Sequence, residues 1–404
     1  MYIKAILSYL FVNNMVFCDN VIDEIECALD RSSGLLKSIK LDGVIGISLF
    51  YLYRYLESYN HKYITKIESQ LDYVFSYMND ERNSKDISIH NLIELSKYMH
   101  FLSKYRILSQ KDLTDYSMMI EPACEVFKEK KCLEKNLDSL DGLIFLGHYY
   151  LESMYLPNRK LQLSELIREI KRMSIPLADQ SLYWKTNFRN CNRYTIESGF
   201  FHGMSGVWYF LALSFRENIL PDICADLIYG SIKYVNKYYD MRNVNCYPIE
   251  LQSFKRIFYH NLAYGDVGIA YSLYKTGLIL KETRYIDLGL NLLIKTSLFR
   301  DNHNCFIKDA ELVYGSSGLF AVFDELHKET QLDTFLEARE YWLTKTLQYG
   351  NTGGQWAGFE TYINGFDNDI QLSFSHGICG IGIALISNKI NCSHLDYLSF
   401  INFK

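Results

Sequence analysis

The sequence predicts an all-α protein built from repeated helix pairs that close into an α/α toroid. A Gly-x-x-Gly motif followed by an apolar run recurs along the 404 residues, in steps of 48 to 62 residues. Only 5 prolines occur in the chain, which favours long helices because proline ends or kinks a helix. Each repeat can pack on its neighbours, so we predict one domain spanning residues 1–404.

The motif marks the start of one helix in seven predicted repeats, although the second repeat lacks both glycines and the third has Phe145 in place of the second glycine. Its first position is occupied, in chain order, by Gly43, Asn91, Gly142, Gly203, Gly265, Gly315 and Gly377. Glycines spaced i, i+3 share one face of a helix's first turn and allow a neighbouring backbone to approach closely. The same helix end presents unpaired N–H groups and a positive dipole end, so the gathered turns are expected to form a polar mouth.

Between the motifs, apolar residues recur at helical spacing, for example over Ile64–Tyr77 and Leu163–Ile170. Pro122 is expected to break the helix that contains Met118 and Met119. Two loops are predicted, one over residues 179–198 and a glycine-rich one over residues 350–358. The second loop contains Trp356, a candidate contact for a peptide substrate.

Composition excludes several classes of function. A formal net charge of -5, from 42 Lys+Arg and 47 Asp+Glu, gives no basic surface for nucleic acid. No stretch approaches the apolar length of a membrane span. The ten cysteines contain no Cys-x-x-Cys motif, which is typical of reduced thiols, so we predict a cytoplasmic protein.

The repeat pattern resembles the lanthionine synthetase C-like (LanC) family, the cyclases of lanthipeptide biosynthesis, over almost the whole chain. The likeness is most specific in the His-Gly-x-x-Gly of His202–Gly206 and the Tyr-Gly-x-x-Gly of Tyr264–Gly268. It implies a toroid of about seven inner and seven outer helices, with the site at the mouth. It also implies a precursor peptide as substrate, and a dehydratase or another peptide-modifying enzyme as a candidate partner.

The resemblance also implies catalytic residues. Asp138, four residues before Gly142, matches the family's active-site aspartate, and His202 and Tyr264 match its histidine and tyrosine. A histidine that titrates near neutrality can move a proton in either direction, and an aspartate can hold its tautomer. The family's arginine position falls on Tyr259, and Arg256 nearby is a candidate substrate contact.

The family's zinc ligands have no counterparts among the matching residues. Ala263 stands at the position of one cysteine, and Val313 and Tyr314 stand where a Cys-His pair belongs. None of the three can bind zinc as the family does. We therefore predict no cofactor and no metal site, although the resemblance implies zinc.

Two further residues are candidate substrate contacts, Asp266 and His376, each beside a first glycine. Asp266 also fits a structural role, because a carboxylate is favoured in the first turn of a helix. A rebuilt metal site from His202, His376 and either Cys379 or Asp266 is an alternative.

Two hypotheses of function follow. The first is a zinc-less LanC-like protein of lanthipeptide-type maturation that binds a precursor peptide. It either adds thiols to dehydroamino acids, with His202 and Asp138 as acid and base, or serves as a non-catalytic partner of the modifying enzymes. The second is a carbohydrate-active α/α toroid of the glycoside hydrolase kind.

Overall fold

The computed structural model describes residues 18–32, 38–186, 194–252, 259–300, 307–351, 353, 355–361, 368–390 and 397–402. The chain divides into two compact units. Unit 1 comprises residues 1–98, 307–399 and 404, and unit 2 comprises residues 99–306 and 400–403. A single domain over residues 1–404 stays a prediction.

Helices make up most of the described chain. In order they are α1 (residues 18–32), α2 (Val44–Ser58), α3 (Lys62–Asn79), α4 (Ile89–Lys104), α5 (Gln110–Glu134), α6 (Leu143–Glu152), α7 (Arg159–Met173), α8 (Met204–Arg216), α9 (Pro221–Val235), α10 (Asp266–Leu280), α11 (Thr283–Ser297), α12 (Ser316–Thr330), α13 (Asp333–Tyr349), α14 (Asn368–Leu372) and α15 (Ile378–Lys389). Two short strands, β1 (Ile175–Pro176) and β2 (Leu182–Tyr183), pair antiparallel.

Six helices begin directly after the first glycine of a motif. The glycines at these N-caps are Gly43, Gly142, Gly203, Gly265, Gly315 and Gly377. Gly265 has a φ of 92°, a conformation that side-chain-bearing residues rarely adopt. Gly380 is the second glycine of the last motif, and a Cβ added to it would overlap the carbonyl oxygen of Phe374. The motif therefore makes room for backbone that crosses the first turn.

Helices that follow a glycine are buried on nearly all sides. Every residue of α8 from Met204 to Ser214 is buried, and α2 is buried from Val44 to Tyr53. The next helix of each pair buries one face only, as α3 and α11 do. In unit 2, α8 packs on α6, α9 and α10, and in unit 1, α2 packs on α3 and α15. The predicted helix pairs are present in both units.

One local prediction was wrong, and a second was incomplete. Pro122 lies inside α5 and does not end it. The residue is exposed, so water can bond the carbonyl that lacks its usual N–H partner. The loop predicted over residues 179–198 contains β2 and an antiparallel bridge between Thr186 and Thr195, and its residues 187–193 are outside the described chain.

No helix in the described ranges combines the length and apolar character that a membrane crossing requires. Cysteines in these ranges form no disulfide bonds, and five of them, Cys18, Cys124, Cys224, Cys246 and Cys379, are buried.

Candidate functional site

Unit 2 contains a buried carboxylate–imidazole pair made by Asp138 and His202. The Nδ1 atom of His202 lies 2.6 Å from Oδ2 of Asp138. Asp138 belongs to the turn before α6, and His202 immediately precedes Gly203 at the start of α8. Asp138 is 2% exposed and His202 is 8% exposed. The glycine-capped turns of two consecutive repeats thus bring these predicted residues together.

Backbone groups fix the orientation of Asp138. Its Oδ1 accepts the N–H groups of Leu140 at 2.7 Å and Asp141 at 3.2 Å, which leaves Oδ2 for the histidine. Burial opposes ionisation of this carboxyl, but the charge and hydrogen bond of His202, with these N–H groups, hold its pKa below the ordinary value. An ionised Asp138 accepts from Nδ1–H of His202, so Nε2 is the nitrogen that can exchange a proton with a substrate.

Tyr264 completes the predicted catalytic group in unit 2. Its ring centroid lies 5.5 Å from that of His202, and the two planes are inclined by 35°. The backbone N–H of Tyr264 donates to Oδ1 of Asn261 at 2.8 Å, which holds the turn before α10. Its side chain is half-buried. The structure therefore places all three predicted catalytic residues side by side.

Asp266 holds a neighbouring loop. Its two carboxylate oxygens accept the backbone N–H groups of Cys246 at 2.6 Å and Tyr247 at 3.1 Å. Burial raises the pKa of Asp266 to about 6, although these two N–H groups oppose the rise. The residue is 1% exposed. Its predicted contact with substrate stays a prediction, and Arg256, the other candidate near this turn, lies outside the described residues.

Unit 1 contains a second carboxylate–imidazole pair, made by Glu311 and His376. The Nδ1 atom of His376 lies 2.9 Å from Oε2 of Glu311. The ring of Tyr314 stacks on the imidazole with centroids 5.5 Å apart and planes inclined by 8°. The hydroxyl of Thr361 donates to Oε2 of Glu311 at 3.2 Å and to Oδ2 of Asp309 at 3.3 Å.

The pKa of the carboxyl in this second pair shifts in the direction opposite to that of Asp138. Burial raises the pKa of Glu311 to about 7, and the charge of Asp309 adds to the rise, while hydrogen bonds from His376 and Thr361 oppose it. Burial lowers the pKa of His376, but the hydrogen bond and charge of Glu311 outweigh burial and raise it overall. The pair can therefore hold or release a proton near neutral pH.

Sequence reasoning selected His376 but missed Glu311. A signal for Glu311 does exist in the repeat register. Glu311 stands four residues before Gly315, as Asp138 stands four residues before Gly142. Trp356, the remaining candidate, is 6% exposed and forms an antiparallel bridge with Phe359 in unit 1.

Comparison with known protein families identifies the family to which this chain belongs. The sequence model described as "Lanthionine synthetase C-like protein" matches residues 40–391. The chain belongs to this family.

Among solved structures, nisin cyclase is similar to this LanC-like chain, with a TM-score of 0.73 and 16% sequence identity. The likeness covers 95% of this chain and 96% of that chain. It shows the fold and confirms the predicted all-α toroid class. A search of curated proteins finds no match.

The residues of this LanC-like chain do not fit the zinc that the family resemblance implies. Ala263 is 0% exposed and Val313 is 2% exposed, and both side chains end in methyl groups. The ring of Tyr314 is stacked on His376. In the ranges that the structure describes, no group of three or more His, Cys, Asp or Glu side chains could hold a metal ion.

The alternative of a rebuilt metal site is also unsupported in the described ranges. The thiol of Cys379 is buried and donates to the carbonyl oxygen of Gly46 at 2.8 Å. Both oxygens of Asp266 are engaged by backbone N–H groups.

Proposed function

We propose that this LanC-like chain acts in the maturation of ribosomal peptides. It binds a dehydrated precursor peptide and closes thioether rings by adding cysteine thiols to dehydroamino acids, without zinc. Family membership supports the class of reaction. The observation that carries the proposal is the buried His202–Asp138 pair, with its 2.6 Å contact between Nδ1 and Oδ2.

The pair supplies the acid–base chemistry that thiol addition needs. As sulfur bonds to the β-carbon, negative charge develops on the enolate, and the α-carbon must gain a proton. His202 can give that proton or accept the thiol's proton through Nε2, while Asp138 stabilises the imidazolium. Tyr264, against the imidazole face, orients the ring and the substrate.

A non-catalytic role is the second candidate. The nonpolar side chains of Ala263 and Val313, at positions where the family binds zinc, favour it. In this form the chain presents a bound precursor to a dehydratase or another modifying enzyme. A cytoplasmic location belongs to both forms of the proposal. Family membership favours either form over the carbohydrate-active hypothesis.

Ring formation on a dehydrated peptide tests the catalytic form. The probe is a linear synthetic peptide with one cysteine and one dehydroalanine, and rings are measured by loss of free thiol with mass spectrometry of the product. We expect wild type to cyclise it and His202→Ala to be slower by about 10²-fold or more, since general acid–base groups contribute that much. His61→Ala is the matched control, because His61 is exposed at the start of α3.

The outcome for His202→Ala separates the two forms. Rates equal to those of wild type would remove His202 from the mechanism. No ring formation by any variant, together with peptide binding, would favour the non-catalytic form. A gene for a dehydratase beside the gene for this chain supports either form.

A further inference from the structure

The two carboxylate–imidazole pairs occupy equivalent positions in the repeat pattern. In each pair the acid stands four residues before the first glycine of one repeat. The histidine stands one residue before the first glycine of the next. The separations along the chain are 64 residues for the pair in unit 2 and 65 residues for the pair in unit 1. The same arrangement of an acid and a histidine therefore occurs twice in the chain.

A backbone hydrogen bond joins the two turns in each unit. In unit 2, the N–H of Ser139 donates to the carbonyl oxygen of Phe201 at 2.9 Å. In unit 1, the N–H of Val313 donates to the carbonyl oxygen of Ser375 at 3.2 Å. Each bond connects the turn that carries the acid with the turn that carries the histidine. The donor lies one residue after the acid in unit 2 and two residues after it in unit 1, so the two pairs are held by similar, not identical, backbone bonds.

Two features of the second pair indicate contact with a ligand. Glu311 is 1% exposed, and its Oε1 has no hydrogen-bond partner among the described residues. A buried carboxylate oxygen without a partner is costly unless a proton or a ligand satisfies it. The side chain of His376 is 21% exposed, against 10% for that of His202, so the second imidazole is the more accessible one.

Charged groups surround this pair on several sides. Asp309 shares the hydroxyl of Thr361 with Glu311, and its Oδ1 accepts the N–H of Glu311 at 3.2 Å. Asp42 accepts the N–H of Ser375 at 2.7 Å, beside His376. These carboxylates favour the protonated form of His376, which is the state that follows acceptance of a proton.

We propose that His376 and Glu311 form a second proton-transfer site, at which His376 accepts the proton of the substrate's cysteine thiol. The proposal rests on the proposed function, since it assigns the base for the same ring-forming reaction. His376 is the catalytic residue, and Glu311 is a positioning residue that acts through it. Residues 263, 313 and 314 offer no ligand atoms suited to zinc, so a base is needed to form the thiolate.

The step balances without a redox partner. The cysteine sulfur forms a bond to the β-carbon of the dehydroamino acid, and the carbon–carbon double bond becomes a single bond. The thiol proton passes to His376, and Glu311 stabilises the imidazolium. The α-carbon gains one proton from a general acid, and the imidazolium returns its proton to solvent.

Ring formation by His376→Gln and Glu311→Gln tests the proposal, with the cysteine and dehydroalanine peptide as probe and His61→Gln as control. We expect His376→Gln to be about 10²-fold slower than wild type at pH 8. The wild-type rate should rise with pH as the pair loses its proton, and this rise should be absent in His376→Gln. In Glu311→Gln the midpoint of the rise should move to lower pH, because His376 loses the partner that raises its pKa.

A spectroscopic readout keeps the test independent of turnover. The probe is the same peptide with alanine in place of dehydroalanine, so that it binds without reacting, and its serine counterpart is the blank. Ultraviolet absorbance of the thiolate should appear on binding to wild type and be absent with His376→Gln. Equal thiolate signals in the two proteins, equal ring-forming rates, or no binding of the peptide to wild type would each overturn the proposal. Thiolate formation without ring closure would overturn only the proposed cyclase function.

Discussion

Asp138 and Glu311 are both buried beside a histidine, yet their pKa values shift in opposite directions. The difference lies in what each carboxylate receives besides the imidazole. Asp138 accepts two backbone N–H groups on its second oxygen, which favours ionisation. The second oxygen of Glu311 has no partner in the described chain, and Asp309 adds a like charge nearby. Burial raises the pKa of both acids, so the opposite shifts come from the neighbouring charges and the hydrogen bonds that each acid accepts.

The raised pKa of Glu311 predicts a dependence of stability on pH. A group whose pKa is higher in the folded state than in the unfolded state stabilises the fold at low pH and loses that contribution as pH rises through the folded value. Glu311, with a pKa of about 7, and His376, with a raised pKa, act in the same direction. We expect wild type to lose about 1–3 kcal/mol of unfolding free energy relative to Glu311→Gln between pH 5 and pH 8.

Urea unfolding across this pH range measures the effect. Glu68→Gln is the matched control, since Glu68 is exposed on α3. Parallel curves of free energy against pH for wild type and Glu311→Gln would show that Glu311 does not hold a proton near neutral pH.

The motifs identify several residues of the candidate site, but they do not identify every side chain that contacts those residues. Asp138, His202 and Tyr264 could be selected from the sequence because each stands at a fixed offset from a glycine. Glu311 follows the same offset, but it becomes visible only when one repeat is compared with another. Thr361 stands at no fixed offset from a motif glycine, and only the tertiary fold brings its hydroxyl to Glu311. The engagement of Asp266 with Cys246 and Tyr247 likewise depends on a loop path that no local pattern encodes.

At the scale of elements, the glycine motif predicts that replacing its second glycine lowers the free energy of unfolding. In Gly380→Ala, the added Cβ would overlap the carbonyl oxygen of Phe374 and approach the side chain of Leu312. Backbone cannot yield as a flexible side chain does, so α15 must shift from its position. We expect a loss of about 3 kcal/mol of unfolding free energy, as for severe overpacking, measured by urea unfolding.

Ser69→Ala is the control for this substitution, because Ser69 is exposed on α3 and the change should stay within about 0.5 kcal/mol. A Gly380→Ala protein as stable as the control would mean that the glycine is not needed for close approach of the backbone.

Helix starts were the most predictable elements. Six of the predicted motif positions cap a helix. Glycine is needed there because nearby backbone leaves no space for a side chain, and this requirement can be recognised from the local sequence. Pro122 was misjudged because the sequence does not show that its face of α5 is exposed, where solvent can replace the lost hydrogen bond. The β1–β2 pair escaped prediction because each strand has only two residues and no alternating pattern.

At the scale of the whole chain, unit 1 is discontinuous in sequence and unit 2 is nearly continuous. In unit 1, α2 packs on α15, which lies more than 300 residues later. A fragment of residues 1–98 therefore lacks the partner that covers α2, and its apolar face would meet water. We expect this fragment to be poorly helical and prone to aggregate, whereas residues 99–306 remain helical and unfold cooperatively.

Circular dichroism and urea unfolding of the separate fragments test this prediction. Coexpression of residues 1–98 with residues 307–404 is the matched comparison, and it should restore helicity to the first fragment. A cooperative unfolding transition in residues 1–98 alone would contradict the expectation.

The constant offsets of acid and histidine from their glycines bear on how this chain can change over evolutionary time. Repeat lengths vary from 48 to 62 residues, yet both pairs keep the same offsets. The differences in repeat length therefore fall outside the short segments that carry the acids and histidines. The repeat thus offers equivalent positions for an acid and a histidine at more than one turn of the same fold.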